Sequence, residues 1–192
     1  MRVCVYCGSS SGGSPLYADA ARSLGSECGR RGIGLVYGGG SVGLMGIAAD
    51  AALAVGGEVI GVITEQLLQA EVAHLGLSEL QVVGTMHERK ARMADLADGF
   101  VVLPGGFGTV DEFAEMLTWN QLGIVAKPVV LLDVDGYWQS LLQWMDRAVG
   151  AGFLRPQHRL LAQHADNPAT ALEHALSAAP AAQPKWLDAD PR

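Results

Sequence analysis

Short aliphatic and β-branched runs alternate along the chain with longer stretches whose apolar residues recur every three or four positions. The short runs predict strands at 3–7, 34–37, 58–63, 81–84, 100–103 and 129–132. Helical patterns fall between them at 15–31, 44–55, 88–97, 110–122 and 137–150, with a last helix near 169–178. This alternation predicts an α/β fold, a parallel sheet with helices on both faces. VVL at 101–103 and VVLL at 129–132 lack polar alternation and fit strands buried on both sides. In such sheets ligands sit outside the carboxyl ends of the strands, which singles out the loops 8–14, 38–43, 85–89 and 104–109. The stretch 64–80 is the longest connection without a clear pattern. Residues 1–180 read as one domain and 181–192 as a frayed tail.

Composition narrows the function. With 49% hydrophobic and 17% charged residues in 192, the chain suits one globular core. A net charge of -7, with no basic cluster beyond 88–92, argues against a nucleic-acid surface. No run approaches ~18 apolar residues and no signal segment opens the chain, so a cytoplasmic protein without membrane contact is expected. Cys4 and Cys7 form a C-x-x-C, but inside a strand that spacing sends the two side chains to opposite faces. Buried structural thiols, with Cys28 among them, are expected over a redox or metal pair.

Glycine makes up 25 of the 192 residues and concentrates where apolar runs end. YGGGSVGLMG at 37–46 overlaps G-x-G-x-x-G spacing, yet no acid closes the next strand as a dinucleotide fingerprint requires. A tight strand-to-helix turn and a ligand contact stay open for it. PGGFGT at 104–109 lacks the Lys-Ser/Thr of a P-loop, but Gly105, Gly106 and Gly108 leave backbone N–H groups open at a helix N-terminus, where an anion would sit well.

Glu112 has two readings. Thr109-x-x-Glu112 is capping-box spacing, which would turn the carboxylate back onto the Thr109 N–H. Otherwise Glu112 faces a ligand, with the helix N-terminus favouring its ionised form and Glu115 one turn on along the same face. The two are compatible if the cap opens when an anion fills the turn. In MHERKARM (86–93), Arg89 and Arg92 share a face and Lys90 points elsewhere. The stretch is either a solvated basic face balanced by Glu88 and Asp95, or, if its strand adjoins the one before PGGFGT, part of the same edge. His87, at the helix entry, reads as a cap or a packed ring.

MHERK (86–90) followed by PGGFGTVDE (104–112) resembles the paired motifs of the LOG family, cytokinin riboside 5′-monophosphate phosphoribohydrolases often labelled lysine decarboxylases. CVYCGSS, YGGGSVGLMG, ADAAL, GGEVIGVI, TWNQLGI, KPVVLLDVDGYW and GFLRPQHR also look like family segments, so the likeness covers nearly all but the tail. It implies a Rossmann-like sheet of about six to seven strands and a homodimer. It also implies hydrolysis of the N-glycosidic bond of purine ribonucleoside 5′-monophosphates of the cytokinin type, without cofactor or metal. By position, Arg89 and Glu112 match the catalytic pair. Gly105, Gly106, Phe107, Gly108, Thr109, Val110 and Asp111 fall in or beside the phosphate-binding turn. Glu71, Met86, Lys90, Arg92 and Thr118 stand as further substrate contacts. Thr64 and Gln69-Ala70 replace prolines and an arginine common in the family, in a segment that shapes the base pocket.

The chemistry agrees with these residues. Breaking an N-glycosidic bond builds positive charge on the ribose, and a fixed carboxylate stabilises that charge more in the transition state than before it. The alternatives are a nucleotide-binding sensor without catalysis and a nucleosidase of broader nucleoside monophosphate range. Pyridoxal-dependent decarboxylation needs a Schiff-base lysine, and only Lys90, Lys127 and Lys185 are present.

Overall fold

The computed structural model describes residues 1–70 and 73–178, arranged as one seven-stranded sheet in which every pair is parallel. The strands are β1 (Arg2–Tyr6), β2 (Gly34–Tyr37), β3 (Val59–Thr64), β4 (Glu79–Val83), β5 (Gly99–Val102), β6 (Val129–Leu132) and β7 (Ala162–Ala165). The helices are α1 (Pro15–Arg30), α2 (Gly43–Leu53), α3 (Glu65–Ala70), α4 (Met86–Leu96), α5 (Phe107–Leu122), α6 (Gln139–Gly150), α7 (Pro156–Arg159) and α8 (Pro168–Ala175). Glu71 and the tail 181–192 lie outside the described residues.

The spatial order is β4-β3-β2-β1-β5-β6-β7. The chain builds outward from β1 in one direction and then, from β5, in the other. This reversal between β1 and β5 opens a crevice at the carboxyl ends of those two strands, the usual ligand position in such sheets. There Gly8 N–H donates to the Pro104 carbonyl at 3.0 Å and ties the two post-strand loops together.

The two-residue period of β1 splits the core. Val3, Val5 and Cys7 pack under α1, α2 and α8, whereas Cys4 pairs with Met93, Phe113 and Met116 under α4, α5 and α6. Burial raises the pKa of all three thiols, away from a reactive thiolate.

Helix starts differ from the sequence pattern because caps, not apolar period, set them. Thr85 caps α4, so that helix begins two residues before its predicted start. Gly106 caps α5, three residues early. Asp135 (φ 55) and Gly136 (φ 71) delay α6 to Gln139. The segment 64–80 contains α3, with the Leu67 N–H donating to Thr64 Oγ1 at 3.2 Å. β7 reads AQHA, too polar and too short to signal a strand, and forms by pairing with β6.

Gly25 lets α1 lie directly on α2, because a Cβ there would collide with the Ala48 carbonyl. Gly25→Val is expected to destabilise the fold by about 2–3 kcal/mol and to lower Tm by roughly 5–10 °C, read by thermal unfolding.

Candidate active site

Arg89 assembles the site. It lies on α4, which starts at the sheet edge after β4, so the condition on which the shared-edge reading stood, that its strand adjoin β5, is not met; β3, β2 and β1 stand between. The crossover itself supplies the reach, because α4 runs back across the sheet face toward β5. Arg89 is 7% exposed. Its Nε donates to the Val62 carbonyl at 2.9 Å and its Nη2 to the Gly38 carbonyl at 3.1 Å. Nη1 reaches Glu112 Oε1 on α5 at 3.4 Å. One guanidinium thus joins β3 and the end of β2 to the helix that follows β5.

This position excludes a solvated basic face. Glu88 does not balance its arginine neighbours; it closes a capping box with Thr85, taking N–H groups from Thr85 at 3.1 Å and Gly84 at 2.8 Å. His87 is exposed, neither cap nor packed ring. Arg92, expected on Arg89's face, is exposed and donates to Gln81 Oε1 at 2.7 Å; three residues turn a helix 60° short of a full circle, enough to carry it over the rim.

The capping box predicted at Thr109 does not form. With Gly106 as the cap residue, Thr109 is already in the first turn and Glu112 lies a turn deeper. Its side chain is 12% exposed. The expectation that the helix end keeps Glu112 ionised also fails, since the dipole's influence fades beyond the first turn. Burial dominates and lifts its pKa to about 7, against the opposing pull of Arg89.

Two glycines of the 104–109 turn are left open. Side chains at Gly106 and Gly108 would meet empty space, whereas a Cβ at Gly105 would strike Thr109 Oγ1. Gly106 offers no side-chain acceptor to the first N–H groups of α5, which leaves them for a ligand. These groups, Gly8 and Ser9 from the loop after β1, and Arg89 and Glu112 border one cavity of about 290 Å³. Met45 and Leu67 are among its apolar lining residues. Sequence reasoning missed both, because Met45 sits in an ordinary helical apolar pattern and Leu67 in the stretch 64–80, which shows no clear pattern. YGGGSVGLMG resolves in part as packing: a Cβ at Gly38 would collide with Arg89 Nη2, so this loop serves the site by leaving room for the guanidinium.

The other expected contacts scatter. Phe107 lines the cavity mouth, and Met86 is partly exposed at the start of α4. Lys90 is buried against Asp111 and Glu115. Val110 and Thr118 line a separate apolar groove of about 470 Å³ between α5 and α6, where Thr118 Oγ1 donates to the Ala114 carbonyl at 2.8 Å.

A crevice at the strand reversal, bordered by an uncapped helix N-terminus and a buried carboxylate–guanidinium pair, defines an α/β protein with a candidate ligand site at the carboxyl ends of its strands. The sequence model of a family described as "Possible lysine decarboxylase" matches residues 45–175. The chain is 56% identical over 160 residues to a rice (Oryza sativa subsp. japonica) protein named "Probable cytokinin riboside 5'-monophosphate phosphoribohydrolase LOGL9", covering 83% of this chain and 70% of the relative. It is 51% identical over 166 residues to cytokinin riboside 5'-monophosphate phosphoribohydrolase LOG7 of Arabidopsis thaliana, covering 86% and 76%. The chain belongs to this LOG family of phosphoribohydrolases. A solved molybdenum cofactor carrier protein from Chlamydomonas reinhardtii shares the fold, with TM-score 0.67 at 23% identity over 90% of this chain and 93% of that one.

Glu112 gives stability a defined pH dependence. Between the ordinary 4.5 and about 7 the folded chain keeps a proton that the unfolded chain has lost. Its contribution therefore falls as pH rises through that window and levels off above it, by on the order of 3 kcal/mol. Denaturation at pH 5 and pH 8 should show this slope in the wild type and a flatter one in Glu112→Gln.

Proposed function

We propose that the protein hydrolyses the N-glycosidic bond of purine ribonucleoside 5′-monophosphates, with N6-substituted adenine of the cytokinin type as base, to free base and ribose 5-phosphate. The observation that carries this reading is Glu112, held by Arg89 in the same cavity as the open N-terminus of α5. The phosphate takes the N–H groups of the 106–109 turn beside Ser9, the ribose faces Glu112, and the base extends toward Met45 and Leu67. As the C1′–N9 bond breaks, its electron pair leaves with the purine and positive charge grows on the ribose ring. Ionised Glu112 stabilises that charge and takes a proton from the water whose oxygen bonds to C1′. The leaving purine gains a proton, so the balance is nucleotide plus water to base plus ribose 5-phosphate. The reaction as written consumes only water. The family's activity on cytokinin nucleotides and the geometry of the pair support it together.

A homodimer belongs to the same reading. The α5/α6 groove is apolar and carries Trp144 at 63% and Phe153 at 90% exposure. A second copy seated there covers those side chains and accounts for Thr118, a substrate-contact position by resemblance that lies outside its own chain's cavity. Three buried free thiols suit a reducing compartment, the cytoplasm.

Incubation with adenosine 5′-monophosphate and an isopentenyl-adenine riboside monophosphate should release free base, faster from the second. Because kcat/KM reports the free enzyme, it should rise with pH and reach its plateau above about 7, the range of Glu112. Glu112→Gln should lose about 10²–10³-fold in kcat. Gly38→Ala should match Arg89→Ala while remaining folded. Tight monophosphate binding without base release would instead identify a sensor. Light scattering should give twice 20.1 kDa for the wild type and a single chain for Trp144→Glu/Phe153→Glu.

A further inference from the structure

Arg89 and Lys90 are consecutive on α4, and Glu112 and Glu115 are one turn apart on α5. The structure pairs them in parallel, Arg89 with Glu112 at 3.4 Å and Lys90 with Glu115 at 3.0 Å. Only the first pair borders the cavity. Lys90 is 7% exposed, so its ammonium has exchanged water for carboxylates. Asp111 Oδ2, at 3.1 Å, is its other partner, but that side chain is largely in solvent and contributes little. Glu115 is the desolvated one. Its Oε2 is buried and lies within ion-pair distance of Nζ without making a directed hydrogen bond.

A lysine so placed has two uses. It contacts substrate, as the family resemblance implies, or it holds two helices together. The geometry favours the second, since Nζ lies between two α5 carboxylates and the residue is absent from the cavity wall. The dependence is also physical: α4 reaches α5 only at the end of a crossover from the far sheet edge, so the 3.4 Å Arg89–Glu112 contact needs a second tie to fix the approach of the helices.

We propose that Glu115 is a positioning residue for the reaction: through Lys90 it fixes α4 against α5 so that Arg89 and Glu112 meet, and Lys90 serves the helix pair, not the substrate. The rate effects rest on the proposed hydrolase activity; the structural ones do not. Among the described residues, the charged and titratable groups around Glu112 are Arg89 and Lys90 from α4, Asp111 and Glu115 from α5, Cys4 and Tyr6 from β1, and Cys7 just after β1.

The test compares Lys90→Met, Glu115→Gln and the charge-balanced double variant Lys90→Met/Glu115→Leu. Lys90→Met strands a buried carboxylate and should lower Tm by about 5 °C or more; the double variant should regain most of it. With isopentenyl-adenine riboside monophosphate, Lys90→Met should lose about ten- to a hundredfold in kcat with little change in KM, and the double variant should recover most of that loss. In carbon-13 spectra of the protein labelled at glutamate, the Glu112 carboxyl should titrate higher in Lys90→Met, which removes a nearby cation, and lower in Glu115→Gln, which removes a nearby anion. A large rise in KM shared by Lys90→Met and the double variant would make Lys90 a substrate ligand and overturn the proposal, as would a Glu112 titration unmoved by either substitution. If Lys90→Met does not fold, Glu115→Gln and the double variant still decide by the same readings. If the wild type releases no base, the hydrolase reading fails alone, and the Tm comparison and the titration decide the positioning role.

Discussion

A guanidinium withdrawn from water must find acceptors for the N–H groups it can no longer solvate, and Arg89 finds them on three separate parts of the chain. Val62 lies in the second half of β3, Gly38 follows β2 and Glu112 sits on α5. These parts are far apart in sequence and become neighbours only when the strands lie side by side with α4 drawn across them. Correct assembly of the sheet and of the Arg89–Glu112 pair are therefore one event. The glycine after β2 follows from the same constraint, since any side chain there would occupy the space of the guanidinium.

The strand reversal between β1 and β5 does the complementary job. It separates the loops after the two strands far enough to leave a crevice, and the Gly8–Pro104 hydrogen bond keeps them at a fixed distance. The N-terminus of α5 then opens into the crevice with its first N–H groups uncapped by any side chain. Glu112, a turn deeper, is desolvated against the core, which places its titration near neutrality. The open N-terminus and the buried carboxyl group thus come from one helix, at two depths with different dielectric surroundings.

Six strands and the six longer helices were legible in the sequence because apolar period is a local property. β7 was not, since AQHA has no strand pattern and depends on β6 for its hydrogen bonds. The capping box was placed at the wrong helix for a similar reason. Thr85–Glu88 and Thr109–Glu112 have the same spacing, and which Thr starts its helix depends on the glycine turn before the second. Met45 and Leu67 carried no signal either, because an apolar residue that lines a cavity looks like one that fills a core.

By itself the sequence determined the alternation of strands and helices, the glycine turn that opens a helix N-terminus, and, through the MHERK and PGGFGTVDE pair, Arg89 and Glu112 as the residues of interest. Those are matters of local spacing and of motif. Tertiary structure alone decided that a helix starting at the sheet edge brings Arg89 to Glu112, that Lys90 faces Glu115, and that Glu112 titrates near 7. Each of these depends on burial and on contacts between distant segments, quantities that a one-dimensional pattern does not contain.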